Sequence, residues 1–234
     1  DIKQKQFVVS EIKKSQKQRY AEAPFITSTL QQEAFNKLRF NANRTMFVAQ
    51  ALYEGIDIGQ DNPVGLITYM RTDSPRVAPE AINEVREYIA RSFGSEYLPE
   101  KPNYYKVKKL AQEAHEAIRP TYVSRHPESL KTFLTPDQHK LYTIIYNRFV
   151  ASQMKPAVYA VTSVAIEVGR YSFSASGSTL IFSGFRQAYG KDDENEENGA
   201  GSEKAKKNII PLLEKGDMLE LLKLLPSQHF TKPP

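Results

Sequence analysis

Gly65-Leu66-Ile67-Thr68-Tyr69-Met70-Arg71-Thr72-Asp73-Ser74 reads as a short buried strand, Leu66 to Met70, that runs into a polar turn. Side chains two apart on an extended chain share a face, so this spacing sets Tyr69 and Arg71 side by side where the apolar run gives out. A tyrosine hydroxyl, with an ordinary pKa of about 10, is a weak nucleophile at neutral pH unless the attacked group or the developing phenolate is stabilised. A guanidinium, always charged and carrying planar paired donors, can stabilise a phosphodiester whose negative charge grows in the transition state. The plainer alternative is a strand tyrosine packed on a core with Arg71 as its solvent-facing neighbour. Spacing alone leaves both open.

Working outward, the residues before this stretch read as two helices. Thr29 with Gln32 makes a capping box, followed by Leu30, Ala34, Phe35 and Leu38 at helical spacing. After a turn at Asn41 to Asn43, a second helix opens near Thr45, carries Met46, Ala49, Leu52 and Tyr53, and stops at Gly55. Helix, turn, helix and strand is the order of a helix-turn-helix with a wing. On the other side a third helix starts at Pro79, with Ile82, Val85 and Ile89 on one face, and ends at Phe93-Gly94. Glu113 to Arg119 reads as helical and is ended by Pro120. A last helix opens on the box Thr135-Pro136-Asp137-Gln138 and buries Leu141, Ile144, Ile145 and Phe149.

The two ends have a different period. Phe7-Val8-Val9 opens a half-exposed strand reaching towards Ile26, and alternation returns from Val158 to Val168, through Tyr171, Phe173 and Ala175, and in a further strand from Thr179 to Phe185. Lys191 to Lys207, with its block of acids, predicts a mobile loop. Lone terminal strands are marginal, so the simplest packing pairs the two ends and leaves the middle as an insertion. The fold class expected is therefore α+β and multidomain: a discontinuous β-rich domain, residues 1–31 and 156–234, carrying an inserted, mainly helical, winged-helix-like domain, residues 32–155.

Composition narrows the chemistry. The 234 residues include no cysteine, which excludes disulfides, thiolate metal sites and cysteine nucleophiles. No apolar run approaches the roughly 18 residues of a membrane span, so no membrane partner is expected. A net charge of +5 permits a polyanionic partner without requiring one. His115-Glu116-Ala117-Ile118-Arg119 begins like a helical zinc motif, but arginine stands where the second histidine is needed. No GxSxG, Walker A loop or GxGxxG occurs, and no metal ligands are assigned within the chain.

GLITYMRTDS, followed by AQEAHEAIRPT and preceded by APFITSTLQQEA, resembles the bacterial type IA DNA topoisomerases, and QMKPAVY and LPSQHFTKPP extend the likeness over nearly the whole chain. The sequence Thr68-Tyr69-Met70-Arg71 is similar to the topoisomerase I form rather than the SYPRTDS of topoisomerase III. The resemblance implies that Tyr69 attacks a single-stranded DNA phosphodiester and stays joined to the 5′ phosphate, with Arg71 on the scissile phosphate. It also implies DNA contacts by Thr72, Asp73, His115 and Arg119.

The same resemblance implies a β-rich toroid arch interrupted by a helical domain bearing the tyrosine. It implies relaxation of negatively supercoiled DNA without ATP, and Mg2+ held by residues outside this stretch. The partners it implies are single-stranded and negatively supercoiled DNA and further domains of the same polypeptide, in the bacterial cytoplasm on the nucleoid. The chain starts Asp1-Ile2-Lys3 and stops at Thr231-Lys232-Pro233-Pro234, ends that read as cut from a longer protein, a piece expected to be inactive in relaxation by itself. Two further readings are a non-catalytic winged-helix module, in which Arg71, Arg76 and His115 only hold phosphates, and a structural interaction domain without salt-dependent DNA affinity.

Overall fold

The computed structural model describes residues 2–59, 62–106, 115–195, 210–228 and 230. The elements are β1 (Phe7–Arg19), α1 (Thr27–Leu38), α2 (Ala42–Glu54), α3 (Pro79–Ser92), α4 (Pro127–Leu130), α5 (Pro136–Ser152), β2 (Ala157–Val168), β3 (Tyr171–Phe182) and β4 (Met218–Leu219), with short 3₁₀ turns between some of them. The mixed α+β class is as expected. The chain divides into two compact units, one of Asp1–Lys17, Val158–Ile181 and Asn198–Pro234, the other of Gln18–Ala157 and Phe182–Glu197.

The first unit is built on a four-stranded sheet in the order β3-β2-β1-β4. β2 and β3 form a hairpin across Gly169-Arg170, and β4 pairs antiparallel with β1, Phe7 opposite Leu219 and Val8 opposite Met218. Val9, Val164 and Val168 are buried, while β3 alternates half-buried and exposed residues, the pattern of a sheet with one face in water.

The second unit is organised by α5, which packs on α1, α2 and α4. Its start is the predicted box: Gln138 N–H donates to Thr135 Oγ1 (3.3 Å) and Thr135 N–H to Gln138 Oε1 (2.9 Å). Leu141, Ile145 and Phe149 are buried with Leu30, Leu52, Val85 and Ile89 of the neighbouring helices, and Ile144 is half-buried. Arg148, also buried, lies over the Phe25 ring (4.6 Å) and pairs with Glu22 and Glu33, which ties the segment before α1 to the helices.

Several expectations need correction. α1 starts at Thr27, two residues before the predicted cap: Thr29 lies in the first turn and its Oγ1 accepts from Ile26 N–H (3.0 Å). α2 starts at Ala42 because Asn41 caps it, its side chain accepting from Arg44 N–H (2.8 Å). Phe35 and Tyr53, which the sequence groups with the helical apolar residues, are exposed. β1 ends at Arg19, and β3 runs unbroken to Phe182, so the separate strand at Thr179 to Phe185 is its continuation and then a 3₁₀ turn.

Leu66 to Met70 forms only an isolated bridge, Ile67 with Pro120, and bends at Thr68 and Met70, so it is not the regular strand of a wing. Residues 115–119 are extended rather than helical. There, tertiary partners take the backbone groups that a helix would use: Ala117 N–H donates to Arg76 O (2.7 Å) and Ile118 N–H to Phe25 O (2.8 Å). Glu113 and residues 196–207 of the predicted mobile loop lie outside the described residues.

Candidate active site

The backbone around Tyr69 is held from three sides. Gly65 approaches α2 so closely that a Cβ there would meet Tyr53 O at 2.8 Å, and Leu66 N–H donates to Leu52 O (2.7 Å). Next, Thr68 grips the 117–119 segment: its N–H donates to Arg119 O (2.9 Å), its Oγ1 donates to Ala117 O (2.7 Å) and accepts from Arg119 N–H (3.0 Å). Beyond Tyr69, Thr27 at the start of α1 does the same work. Its N–H donates to Thr72 O (2.9 Å), its Oγ1 accepts from Thr72 N–H (2.9 Å), and that oxygen also lies 2.8 Å from Met70 O and 3.0 Å from Thr72 O.

Between these clamps the side chains alternate. Met70, Thr72 and Ser74 are buried, whereas Tyr69, Arg71 and Asp73 are exposed. The period-two pattern survives without a regular strand because the backbone bonds go to α1 and to the 117–119 segment instead of to a sheet. Tyr69 and Arg71 are thus both exposed, on either side of the buried Met70.

Tyr69 is 43% exposed and its ring meets two others edge to face, Tyr53 at 5.3 Å and the half-buried His115 at 6.4 Å between centroids. Among the described residues its hydroxyl has no hydrogen-bond partner, and neither has the Arg71 guanidinium. The segment thus presents an exposed phenol and, two residues on, an exposed guanidinium.

The other predicted residues divide. Asp73 is exposed, as Tyr69 and Arg71 are, and His115 reaches the Tyr69 ring. Thr72 is 7% exposed and its Oγ1 accepts from Ser74 N–H (3.1 Å), a turn-forming bond. Arg119 is committed inwards: Nε donates to Glu116 Oε2 (2.8 Å), Nη2 lies 2.7 Å from the same oxygen, and Nη1 donates to Pro120 O (3.0 Å). The Mg2+ that the resemblance implies has no home among the described residues, which contain no cluster of three or more metal-ligating side chains; Glu116 is already taken by Arg119.

Sequence reasoning missed Thr27, Thr68 and Tyr53. The first two sit inside the motifs APFITSTL and GLITYMRTDS, so the signal was present as motif membership but not as a role. Tyr53 was read only as a residue carried by the second helix.

A sequence model of the DNA topoisomerase family matches residues 1–234. The chain belongs to the DNA topoisomerase family. DNA topoisomerase 1 of Xylella fastidiosa, from strains Temecula1 and 9a5c alike, is 44% identical over 230 residues, which are 97% of this chain and 28% of the relative. Full-length topoisomerase I from Thermotoga maritima is similar in structure, with a TM-score of 0.75 and 38% identity over 94% of this chain and 33% of that one. This topoisomerase-family chain thus spans between a quarter and a third of the length of these relatives.

Proposed function

We propose that the chain is the part of a type IA DNA topoisomerase that carries the nucleophile. The observation supporting this most directly is the exposed pair Tyr69 and Arg71 on a segment clamped by Thr68 and Thr27. The Tyr69 phenol gives up its proton as its oxygen attacks a phosphodiester of single-stranded DNA; the new bond joins phosphorus to the phenol oxygen, the bond to the 3′ oxygen of the preceding nucleotide breaks, and that oxygen takes up a proton in exchange. One phosphodiester replaces another, so rejoining needs no ATP. Arg71 contacts the scissile phosphate and stabilises its growing charge. His115 and Asp73 contact the DNA near it, Thr72 contributes by shaping the turn, and Arg119 acts through its pair with Glu116.

The strand-rich unit serves as the arch of the toroid and the helical unit bears the tyrosine, with further domains of the same polypeptide completing the site and supplying the Mg2+ ligands. The substrate is negatively supercoiled DNA in the bacterial cytoplasm, and the 234 residues alone do not relax it. In the full-length enzyme Tyr69→Phe abolishes covalent capture of a single-stranded oligonucleotide while leaving the melting temperature unchanged, as expected for an exposed hydroxyl without a partner. Undiminished cleavage by that variant would reduce the chain to a DNA-holding module.

A further inference from the structure

A cleft of about 500 Å3 is walled by Gly65, Thr68, Arg119, Thr121, Tyr122 and Arg125. Tyr69 is outside it, but Thr68 is its chain neighbour. The cleft holds two arginines in different states. Arg119 is neutralised by Glu116. Arg125 is not: its Nη1 donates to Thr121 Oγ1 (3.0 Å) and to Gly65 O (3.4 Å), whereas Nε and Nη2 have no partner among the described residues. Its guanidinium lies over the ring of Tyr122, 4.6 Å from the centroid, and Tyr122 is 54% exposed.

Stacking uses the flat face of a guanidinium and leaves its in-plane donors available. Nε and Nη2 form the side-on fork that matches two oxygens of a phosphate. The loop carrying them is fixed from below, since Tyr142 donates to Arg125 O (2.7 Å) and Tyr146 to Val123 O (2.8 Å). Preorganised donors beside an exposed aromatic ring are the two components with which proteins hold single strands, one for the backbone and one for a base.

The geometry points to the cleft at Tyr122 and Arg125 as a subsite for a nucleotide of the single strand that flanks the phosphate attacked by Tyr69, with Arg125 on its phosphate and Tyr122 against its base. This rests on the proposed function. It assigns to Arg125 a direct DNA contact of the kind that the resemblance implied for Arg119.

The test uses the 234-residue chain and a fluorescent single-stranded oligonucleotide, with affinity read by anisotropy across salt concentrations. Arg125→Gln is expected to weaken binding about fivefold or more and to reduce the salt slope by about one. Arg125→Lys, which keeps the charge but loses the fork, restores the slope more than the affinity. A readout on the unmodified chain guards against misfolding of the variants: an oligonucleotide carrying 5-iodouracil is expected to cross-link to the Tyr122 peptide under ultraviolet light.

Unchanged affinity and slope in Arg125→Gln, or cross-links that map only to other peptides, would overturn the subsite. So would a deoxynucleoside monophosphate that competes as well as the oligonucleotide, which would make the cleft a free-nucleotide site. Unchanged binding in Arg125→Gln with covalent capture at Tyr69 intact in the full-length enzyme removes the subsite and keeps the reading of Tyr69; weakened binding in Arg125→Gln, with no capture at Tyr69 in the unsubstituted full-length enzyme, does the reverse.

Discussion

Tyr142 and Tyr146 on α5 and Tyr69 on the clamped segment lie in the same compact unit, yet the first two are buried, with hydroxyls donated to the carbonyls of Arg125 and Val123, and the third is exposed with its hydroxyl unbonded among the described residues. Burial pushes the phenols of Tyr142 and Tyr146 well above their ordinary range, with Tyr88 adding to the effect on Tyr146. A phenol held that way is a packing element with a polar tip. Tyr69 differs from the buried pair in what does not touch its oxygen, while its backbone is held by hydrogen bonds from Thr27 and Thr68.

The comparison breaks if the two sets respond alike to substitution. Tyr146→Ala opens a cavity in the core and leaves Val123 O unpaired, so a loss of about 3 to 5 kcal/mol in chemical denaturation is expected. A loss as small as that of a surface substitution would contradict the packing role. Arg71→Ala, by contrast, leaves stability unchanged and lowers oligonucleotide cleavage in the full-length enzyme by about 10²- to 10³-fold, measured in single turnover.

Thr27→Val sharpens the distinction between fixing the backbone and doing chemistry. It strands the N–H of Thr72, a cost of about 1 to 3 kcal/mol, and should lower the cleavage rate without changing oligonucleotide affinity. Equal losses in rate and affinity would instead assign Thr27 to DNA binding.

The smallest effect concerns pH. Burial, with a contribution from Tyr189, pushes the phenol of Tyr105 up to about 12 against the opposing pull of Arg148. The unfolded chain releases a phenolic proton near the ordinary value of about 10. Stability from this group is therefore fully present below about pH 10 and is lost as pH rises towards 12. Melting temperatures recorded from pH 9 upwards should fall less steeply for Tyr105→Phe than for the unsubstituted chain.

Strong local signals carried over to the structure. The box at Thr135 and Gln138, the stop at Gly55 and the strand from Val158 to Val168 each depend on neighbours within a few residues, and each is present. What failed was non-local. Residues 115–119 favour helix by composition, but Phe25, Thr68 and Arg76, distant in sequence, take their backbone groups. The wing strand dissolved for the same reason, since its partners are single bridges and not a ladder. The exposure of Tyr69 and Arg71 agrees with the period of two in the sequence, although the segment forms no regular strand. The clamps that hold it, and the difference between Arg119 and Arg125, required knowing which side chains meet across the fold.

The most direct test of the central claim is peptide mapping of the full-length enzyme, quenched with denaturant while cutting a single-stranded oligonucleotide. The account predicts nucleotide attached through its 5′ phosphate to the peptide containing Tyr69. Cleavage with that peptide unmodified, or with the nucleotide on another residue, would contradict it.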